Sequence, residues 1–461
     1  MIQERKCEVG IRIGNSITKI TPSEIRARNH IHRRIISNIT VSSMTLLPTC
    51  RSSMQLSSYP CPLLTPQSCS GKKESPLKRM SLDQRPVLAP ATEIKKNLIK
   101  HFGMSPQMAL TKFSELLTPY EKKEITRYKN IYFMRKKYSG HIGAYTSTEG
   151  DYVWEFGDHI SYRYEILSRI DSGSFGQVLR CMDHKTLQEV AIKILKKSHQ
   201  SKRQGLNECK IAFLLNEDNQ ENHCIGKIKR KFEFRFHFFI VFELLSINLF
   251  DFMAKNNFKP LSVSITKRIT VQLLRGLSHM HNLQIIHCDL KPENIVFKHS
   301  NKSSIRIIDF GTSCFFNARV YTYIQSRIYR SPEIVLQISY NEAIDIWSLG
   351  CIVFEMLTGN PPFTGNSERE LMTSMINVLG MPPEDLIKKA KAKFVIDNAE
   401  IKPASRPLSR LLSDKSPYII EFIEKCLKWR AEERITAKEG LRSNWIQCIH
   451  SKQSSLLNTS L

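Results

Sequence analysis

The sequence contains no pair of cysteines at the C-x-x-C spacing, although twelve cysteines are scattered over its 461 residues. Zinc modules and compact disulfide frameworks depend on closely spaced cysteines, so both are disfavoured. Scattered cysteines are typical of a reducing compartment. No apolar run approaches the length of a membrane span, roughly 18 residues or more. The first residues also lack the apolar core of a secretory signal.

Acidic residues are scarce relative to basic ones, with 43 Asp and Glu against 68 Lys and Arg and a formal net charge of +25. This imbalance fits nucleic acid, acidic membranes or acidic proteins as partners, and it fits a surface of solvated lysines equally well. No alternation of basic and exposed aromatic residues indicates a nucleic-acid surface, so we expect no stable nucleic-acid partner. A hydrophobic share of 41% allows a substantial core.

Sustained periodicity is missing from residues 1–104, which are rich in Ser, Thr, Pro and basic residues. This composition predicts a disordered basic tail. Residues 20–40 weakly resemble a mitochondrial transit peptide, and KKESPLKR at 72–79 weakly resembles a nuclear-import patch. A tether to nucleic acid or to a membrane is a further interpretation of this tail.

Signals for the start of a helix occur at Ser105 and Thr118. Ser105 precedes a proline at a first helical position, and Thr118 begins a capping box that Glu121 completes. These signals predict a small folded accessory region at residues 105–148, ahead of the main domain.

From residue 162 onward, alternating and β-branched runs such as EVAIKIL and FHFFIVFELL predict strands. Longer helical patterns follow, such as RITVQLLRGLSHMH and DIWSLGCIVFEMLTG. No internal repeat is present. A small β-rich lobe followed by a larger helical lobe predicts an α+β fold with two lobes.

The stretch IDSGSFGQV, residues 170–178, is similar to loops in which glycines let backbone N–H groups approach phosphates. Gly173 and Gly176 occupy two of the glycine positions, whereas the first position is Asp171. At roughly 7 Å, a carboxylate there would weaken ATP binding by about 1 kcal/mol, and by less if its side chain faced solvent.

Lys193 lies in VAIK, on a predicted strand, where a cation can pair the α- and β-phosphates of ATP. Considered alone, an ordinary edge-strand lysine is the simpler interpretation. Glu208 has the position of a helix glutamate that pairs such a lysine. Gly205 near the start of that helix weakens it by up to about 1 kcal/mol, so where the helix begins is left open.

The stretch IIHCDLKPENIVF, residues 285–297, combines three functional side chains at fixed spacing. Asp289 is placed as the base for a substrate hydroxyl, Lys291 would steady the transferred phosphate, and Asn294 would hold Mg²⁺. Asp309 opens a DFG triplet and would hold the bridging metal. The order and spacing of these motifs predict a protein-kinase fold that uses ATP and Mg²⁺.

The segments HCDLKPEN, DFGTSC and VYTYIQSRIYRSPE closely resemble the dual-specificity tyrosine-regulated (DYRK) kinases of the CMGC group. EGDYVWEFGDHISYRYE looks like the homology box of that family, and the LTPYEKKEI element looks like the accessory region of its second class. The division that the resemblance implies is a basic tail at 1–104, an accessory region at 105–148, a homology box at 149–163, a kinase domain at 164–446 and a C-terminal tail at 447–461.

Cys288 stands where most kinases have an arginine that anchors a phosphorylated activation segment. The resemblance implies that cysteine is normal at this position, and that the kinase phosphorylates its own Tyr323, the second tyrosine of a Y-x-Y motif that begins at Tyr321. Arg327 and Arg330 follow with guanidinium groups suited to a phosphate. The alternative is that Tyr323 is merely a packed aromatic residue.

The adenine pocket is expected beside Phe242 as gatekeeper, with backbone groups of Glu243 and Leu245 as the hinge. The predicted nucleotide-binding set also includes Ile170, Val178 and Ala191. Away from the pocket, Glu333 is expected to form a structural ion pair with Arg434, and Asp345 is expected to organise the catalytic loop from a buried helix.

Cys288 is expected to face the activation segment, which Cys314 opens. If the two thiols approach each other, their oxidation would lock the segment and suppress activity. Two inert buried thiols are the simpler interpretation.

The resemblance implies a monomeric, cytoplasmic or nuclear enzyme that phosphorylates protein Ser and Thr residues, with tyrosine activity confined to itself. It also implies a preference for Ser or Thr followed by proline, often with an upstream arginine. The alternative function is a pseudokinase scaffold that keeps the fold without phosphate transfer. Asp171 and Gly205 are the only features that support this alternative.

Overall fold

The structure is a computed structural model of the chain. It describes residues 9–13, 16–20, 103–135, 145–173, 176–217, 223–299, 303–319, 322–391 and 401–448. The chain divides into two compact units, Met1–Leu88 and Ala89–Leu461.

In the first unit, the structure describes one antiparallel hairpin. Its strands are β1 (Val9–Ile13) and β2 (Ser16–Ile20), with Val9 opposite Ile20. The rest of the predicted tail up to residue 102 lies outside the described residues, including nearly all of 20–40 and the basic cluster at 72–79. Most of the predicted C-terminal tail, from residue 449, lies outside them as well.

The predicted accessory region contains the two expected helix starts. Helix α1 (Pro106–Phe113) begins at the cap Ser105, whose side chain accepts a hydrogen bond from the N–H of Met108. Helix α2 (Pro119–Glu124) begins with the complete capping box of Thr118 and Glu121. Both predictions are confirmed.

A buried charge cluster joins the accessory region to the small lobe. Arg235, in the turn between two strands of that lobe, donates from Nη2 to Glu121 Oε1 and to Glu124 Oε2, each at 2.9 Å. Arg135 also pairs with Glu121, and the Tyr162 hydroxyl donates to Glu124 at 2.9 Å. Because these groups are buried, removal of one partner would leave a charge uncompensated.

The small lobe contains a six-stranded sheet with antiparallel neighbours throughout. Its strands are β3 (His159–Ile160), β4 (Tyr164–Gly173), β5 (Gly176–Asp183), β6 (Gln188–Leu195), β7 (Ile228–Phe234) and β8 (His237–Glu243). They lie side by side in the order β3-β4-β5-β6-β8-β7. Side chains of alternate residues fall on opposite faces, so Val190, Ile192 and Ile194 are buried on one face while Ala191 and Lys193 lie on the other.

Helix α3 (His199–Leu215) packs beside this sheet and carries Glu208. It begins after the cap Ser198, so Gly205 lies more than one turn inside it, and the prediction that placed Gly205 near its start is wrong. A methyl group at Gly205 would come within 2.0 Å of the buried Leu195 Cδ1. The glycine therefore serves close packing of the helix on β6 and is no sign of a degenerate lobe.

The large lobe is helical around α7 (Ala343–Thr358), which is buried along nearly its whole length. Two short antiparallel sheets of two strands each carry the catalytic loop and the start of the activation segment, one of β9 (Ile285–Ile286) with β12 (Cys314–Phe315) and one of β10 (Ile295–Phe297) with β11 (Ile305–Ile307). The other helices are α4 (Leu249–Lys255), α5 (Val263–Asn282), α6 (Pro332–Val335), α8 (Glu368–Leu379), α9 (Glu384–Lys389), α10 (Leu408–Leu411), α11 (Pro417–Cys426), α12 (Ala437–Gly440) and α13 (Asn444–Gln447).

Together these elements form the predicted α+β, two-lobed arrangement. Across the described ranges, no helix combines the length and the apolar character needed to span a bilayer.

Candidate active site

The glycine-rich stretch closes the hairpin of β4 and β5. Gly173 pairs with Gly176 at its end, and Ser174 and Phe175 lie outside the described residues. Gly176 has φ +139°, and a Cβ there would come within 2.0 Å of the Ile194 carbonyl oxygen on β6. Only glycine fits this approach, so the second loop glycine is required by the sheet itself.

Asp171 departs from the expected glycine, and the structure gives its side chain a local partner. Asp171 is exposed, and its Oδ1 accepts a hydrogen bond from the backbone N–H of Ser172 at 2.7 Å. An exposed and hydrogen-bonded carboxylate is screened by water, which reduces its effect on a neighbouring phosphate.

Lys193 is the centre of the charge arrangement between the lobes. Its Nζ lies 2.9 Å from both carboxylate oxygens of Glu208 and 2.9 Å from Asp309 Oδ1. The predicted pair of Lys193 with Glu208 is confirmed. Although desolvation alone raises the pKa of Asp309, the Lys193 ammonium outweighs it and holds that pKa at about 2. Asp309 is therefore ionised at neutral pH.

The carboxylate of Asp289 is held by groups from the catalytic loop and from the activation segment. Lys291 Nζ lies 2.8 Å from its Oδ2, while the N–H and the hydroxyl of Ser326 donate to its Oδ1 at 3.0 and 2.9 Å. Asn294 donates to the backbone carbonyl of Asp289 at 2.8 Å. Ser326 was not identified from the sequence, because no spacing rule marks a serine that reaches back 37 residues.

The buried carboxylate of Asp345 holds the backbone of the catalytic loop. Its two oxygens accept hydrogen bonds from the backbone N–H groups of His287 at 2.9 Å and Cys288 at 3.1 Å. The prediction that Asp345 organises the catalytic loop is confirmed. Cys288 has φ +66° and Asp309 has φ +64°, so two residues of the site adopt the left-handed conformation that non-glycine residues rarely adopt.

Asn294 and Asp309 lie at the same end of the β10–β11 hairpin. The register pairs Ile295 with Ile307, and the N–H of Ile308 donates to the Asn294 carbonyl at 3.0 Å. In the residues that the structure describes, no three His, Cys, Asp or Glu side chains are grouped to hold a metal on their own. An amide and one carboxylate fit Mg²⁺, which is usually held by one or two carboxylates together with substrate phosphates.

The residues predicted to line the adenine pocket lie at one end of β6 and β8 and in the connection that follows. Ala191 pairs with Phe242 and Val190 with Glu243 in the sheet, and Leu245 follows in the connection to the large lobe. The Glu243 side chain accepts a hydrogen bond from the Lys227 N–H at 2.9 Å.

Val178 and Lys193 pair across the sheet and so share a face, and Ile170 at the loop is half exposed.

Tyr323 is 60% exposed, so the interpretation as a packed aromatic residue is wrong. Its hydroxyl donates to Glu368 Oε1 at 3.2 Å, and the Arg330 guanidinium lies 4.1 Å from the centre of its ring. Arg330 also pairs with Glu368, whereas Arg327 donates to the Asn366 carbonyl at 2.7 Å.

The structure therefore brings Arg330 to Tyr323. Tyr321 lies outside the described residues.

Elsewhere in the lobe, Glu333 and Arg434 form the predicted buried ion pair, with N–O distances of 2.6 and 2.7 Å.

Comparison with known proteins identifies the family. The model of the protein kinase domain matches residues 164–446. The dual specificity tyrosine-phosphorylation-regulated kinase 4 of Homo sapiens is 39% identical over 379 residues, which cover 77% of this chain and 73% of the human protein. The chain belongs to the DYRK family of protein kinases.

Other relatives are also longer than this chain. The dual specificity tyrosine-phosphorylation-regulated kinase 3 of Mus musculus is 39% identical over 386 residues, or 75% of this chain and 66% of the mouse protein. The serine/threonine-protein kinase ppk5 of Schizosaccharomyces pombe is 41% identical over 355 residues, or 72% of this chain and 42% of the yeast protein. The chain thus spans less than two thirds of the length of several DYRK relatives that it matches.

The two cysteines of the DYRK motifs lie side by side. Cys288 Sγ and Cys314 Sγ are 3.6 Å apart, below the activation segment and away from solvent. The hydrogen bond between the two thiols lowers the pKa of Cys314 and raises that of Cys288. The expected approach of the thiols is confirmed, and their oxidation stays a prediction.

Hydrogen peroxide is expected to suppress phosphate transfer by joining Cys288 to Cys314, with a thiol reductant restoring it. The activity of the variant Cys314→Ser should resist peroxide, because Cys288 then has no thiol to join. The activity of Cys448→Ser, which changes an exposed cysteine, should stay sensitive to peroxide. Activity assays and peptide mapping of the joined cysteines check this. Equal suppression of Cys314→Ser would contradict it.

A second buried group links the DYRK activation segment to helix α7. The Tyr329 hydroxyl donates to Glu355 Oε2 at 2.7 Å, and burial raises the pKa of Glu355 from 4.5 to about 7. The folded protein therefore binds this proton more tightly than the unfolded chain does between these pH values. Its contribution to stability is present below about pH 4.5 and is lost as pH rises to about 7.

Glu355→Gln keeps an acceptor for Tyr329 and removes the ionisation. We expect the variant to match the wild type near pH 5 and to exceed its unfolding free energy at pH 8 by on the order of 2–3 kcal/mol. Urea unfolding at both pH values measures this difference. Glu421→Gln, on the surface, should change little at either pH, and an equal offset for Glu355→Gln at both values would refute the explanation.

Proposed function

We propose that this chain is an ATP-dependent dual-specificity protein kinase, which phosphorylates Ser and Thr residues of other proteins and its own Tyr323. The observation that carries the proposal is the Asp289 carboxylate, oriented by Lys291 and Ser326 where the catalytic loop meets the activation segment. The names of the relatives, dual specificity and serine/threonine-protein kinases, support the same activity.

The chemistry is a displacement at the γ-phosphorus of ATP. The substrate hydroxyl oxygen forms a bond to phosphorus, the bond to the bridging oxygen of ADP breaks, and the hydroxyl proton passes to Asp289. Lys291, 2.8 Å from Asp289, balances negative charge on the phosphoryl group as it moves. Most of the acceleration comes from positioning and electrostatic stabilisation.

ATP binding uses residues from both lobes. Lys193 would pair the α- and β-phosphates while Glu208 holds it in place. Asn294 and Asp309 would hold Mg²⁺, which would neutralise phosphate charge. The adenine ring fits beside Phe242, with hinge contacts from the backbone of Glu243 and Leu245. The side chains of Ile170, Val178 and Ala191 and the backbone of Gly173 and Gly176 complete the nucleotide site.

The rival function, a pseudokinase scaffold, loses its two supports. Asp171 has a local hydrogen bond and is exposed, and Gly205 has a packing role. We place the action of this chain in the cytoplasm or the nucleus, because scattered cysteines without a C-x-x-C pair are typical of a reducing compartment.

Expression in bacteria with an Asp289→Asn control tests the activity. Phosphopeptide mass spectrometry should find phosphate at Tyr323 in the wild type and none in the variant, because the variant lacks the proton acceptor. A protein substrate should lose Ser and Thr phosphorylation in parallel. Absence of phosphate from both proteins, with ATP binding intact, would favour the pseudokinase.

We further propose that substrates carry proline after the target Ser or Thr. Gln325 has φ +62°, and its carbonyl oxygen accepts from Arg330 Nη2 at 2.6 Å and from Nε at 3.2 Å. This carbonyl next to Ser326 is thus occupied and offers little to the N–H of the residue after the target hydroxyl. An unmatched N–H costs about 1–3 kcal/mol when it is desolvated, and proline has none.

Peptides that differ only after the target serine separate the missing N–H from the proline ring. Replacing proline by alanine is expected to lower kcat/KM by about tenfold or more. N-methyl-alanine, which also lacks the N–H, should recover most of that loss. If neither N-methyl-alanine nor any other residue without an N–H restores kcat/KM, the preference is due to the shape of the proline ring.

A further inference from the structure

Residues 145–157 pack on the face of the small-lobe sheet opposite Lys193. Tyr145 and Tyr152 belong to the same buried cluster as Val190 and Ile192. The segment is also fixed to β6 and its continuation, because the Lys197 N–H donates to the Gly150 carbonyl at 2.8 Å. This part of the chain thus forms a packed layer behind the sheet.

Gln177 connects this layer to the phosphate loop. Its Nε2 donates to the Tyr152 carbonyl at 3.1 Å, and its Oε1 accepts from the Trp154 indole Nε1 at 2.7 Å. Both ends of the amide are therefore used by the segment behind the sheet. Gln177 pairs with Ile194 across the sheet, so its side chain lies on that face, while Val178 pairs with Lys193 on the nucleotide face.

Gln177 directly follows Gly176, the second loop glycine, and its backbone lies between Ser172 on β4 and Ile194 on β6. A hairpin end next to two glycines is free to bend in the absence of side-chain contacts. The amide contacts of Gln177 hold this end from behind, at the residue where the loop returns to the sheet.

We propose that Trp154 and Gln177 are positioning residues for ATP, which act as a brace that holds the backbone at Gly176 in the position that receives the phosphates. The inference rests on the proposed function, because it assigns ATP to this loop. A pre-ordered loop loses less conformational freedom on binding, so the brace raises affinity for ATP without touching it.

Two substitutions break the brace from opposite sides. Trp154→Phe removes the indole N–H and keeps an aromatic ring, and Gln177→Met removes both hydrogen bonds and keeps the length of the side chain. Phe156→Ala is the matched control, because Phe156 lies in the same segment and is 78% exposed.

Each brace variant is expected to raise the Kd of Mg-ATP, measured by calorimetry, and the KM for ATP by about three- to tenfold. The KM for a peptide substrate, the value of kcat and the melting temperature should stay unchanged. In the free protein, amide hydrogen exchange over residues 172–179 should become faster. The double variant should bind Mg-ATP no more weakly than Gln177→Met, because Gln177→Met already removes the hydrogen bond that Trp154→Phe removes.

Unchanged Mg-ATP affinity in both variants would overturn the brace, as would an effect of Gln177→Met that Trp154→Phe does not share. A similar loss in Phe156→Ala would do the same. If Trp154→Phe lowers the melting temperature, the Kd of Mg-ATP for Gln177→Met alone decides whether the brace exists. A wild type that binds Mg-ATP but transfers no phosphate would overturn the proposed function alone, and a wild type that binds no nucleotide would overturn both.

Discussion

The arrangement of the whole catalytic domain depends on one ammonium group shared between two carboxylates. Lys193 belongs to the sheet, Glu208 to helix α3 and Asp309 to the large lobe, and both contacts measure 2.9 Å. A largely buried lysine needs such compensation, because its desolvation is costly without an opposite charge. The position of the helix and the closure of the lobes are thereby joined through one atom, Lys193 Nζ. ATP phosphates would enter at this atom, so substrate binding and lobe arrangement are linked by electrostatics.

The residues of this centre were predictable from the sequence because their chemistry fixes their spacing along the chain. Asp289, Lys291 and Asn294 lie in one loop, and Asp309 follows one short hairpin later, so a local pattern identifies them. The capping box at Thr118 was equally visible, since its two hydrogen bonds close within four residues. Gly205 was misjudged, because helix propensity describes the isolated helix and not the Leu195 side chain that packs against it.

Contacts between distant parts of the chain had no such signal. Ser326 reaches Asp289 across 37 residues, and Arg235 reaches Glu124 across 111. Trp154 and Gln177 are ordinary residues in their own segments, and only the folded sheet shows that they meet. Periodicity indicates which face of a strand is buried, but it does not indicate which later segment covers that face. The long-range polar contacts of the site can therefore be identified only in the folded structure.

The position of Arg235 bears on where this folding unit ends. The kinase-domain match begins at residue 164, yet the guanidinium of Arg235, inside that range, is neutralised by Glu121 and Glu124, outside it. A chain cut at the border of the matched domain would keep this cation and lose both of its anions. The domain border given by homology is therefore not the border of the folding unit. The accessory region belongs to that unit, because it carries the carboxylates that compensate the charge of Arg235.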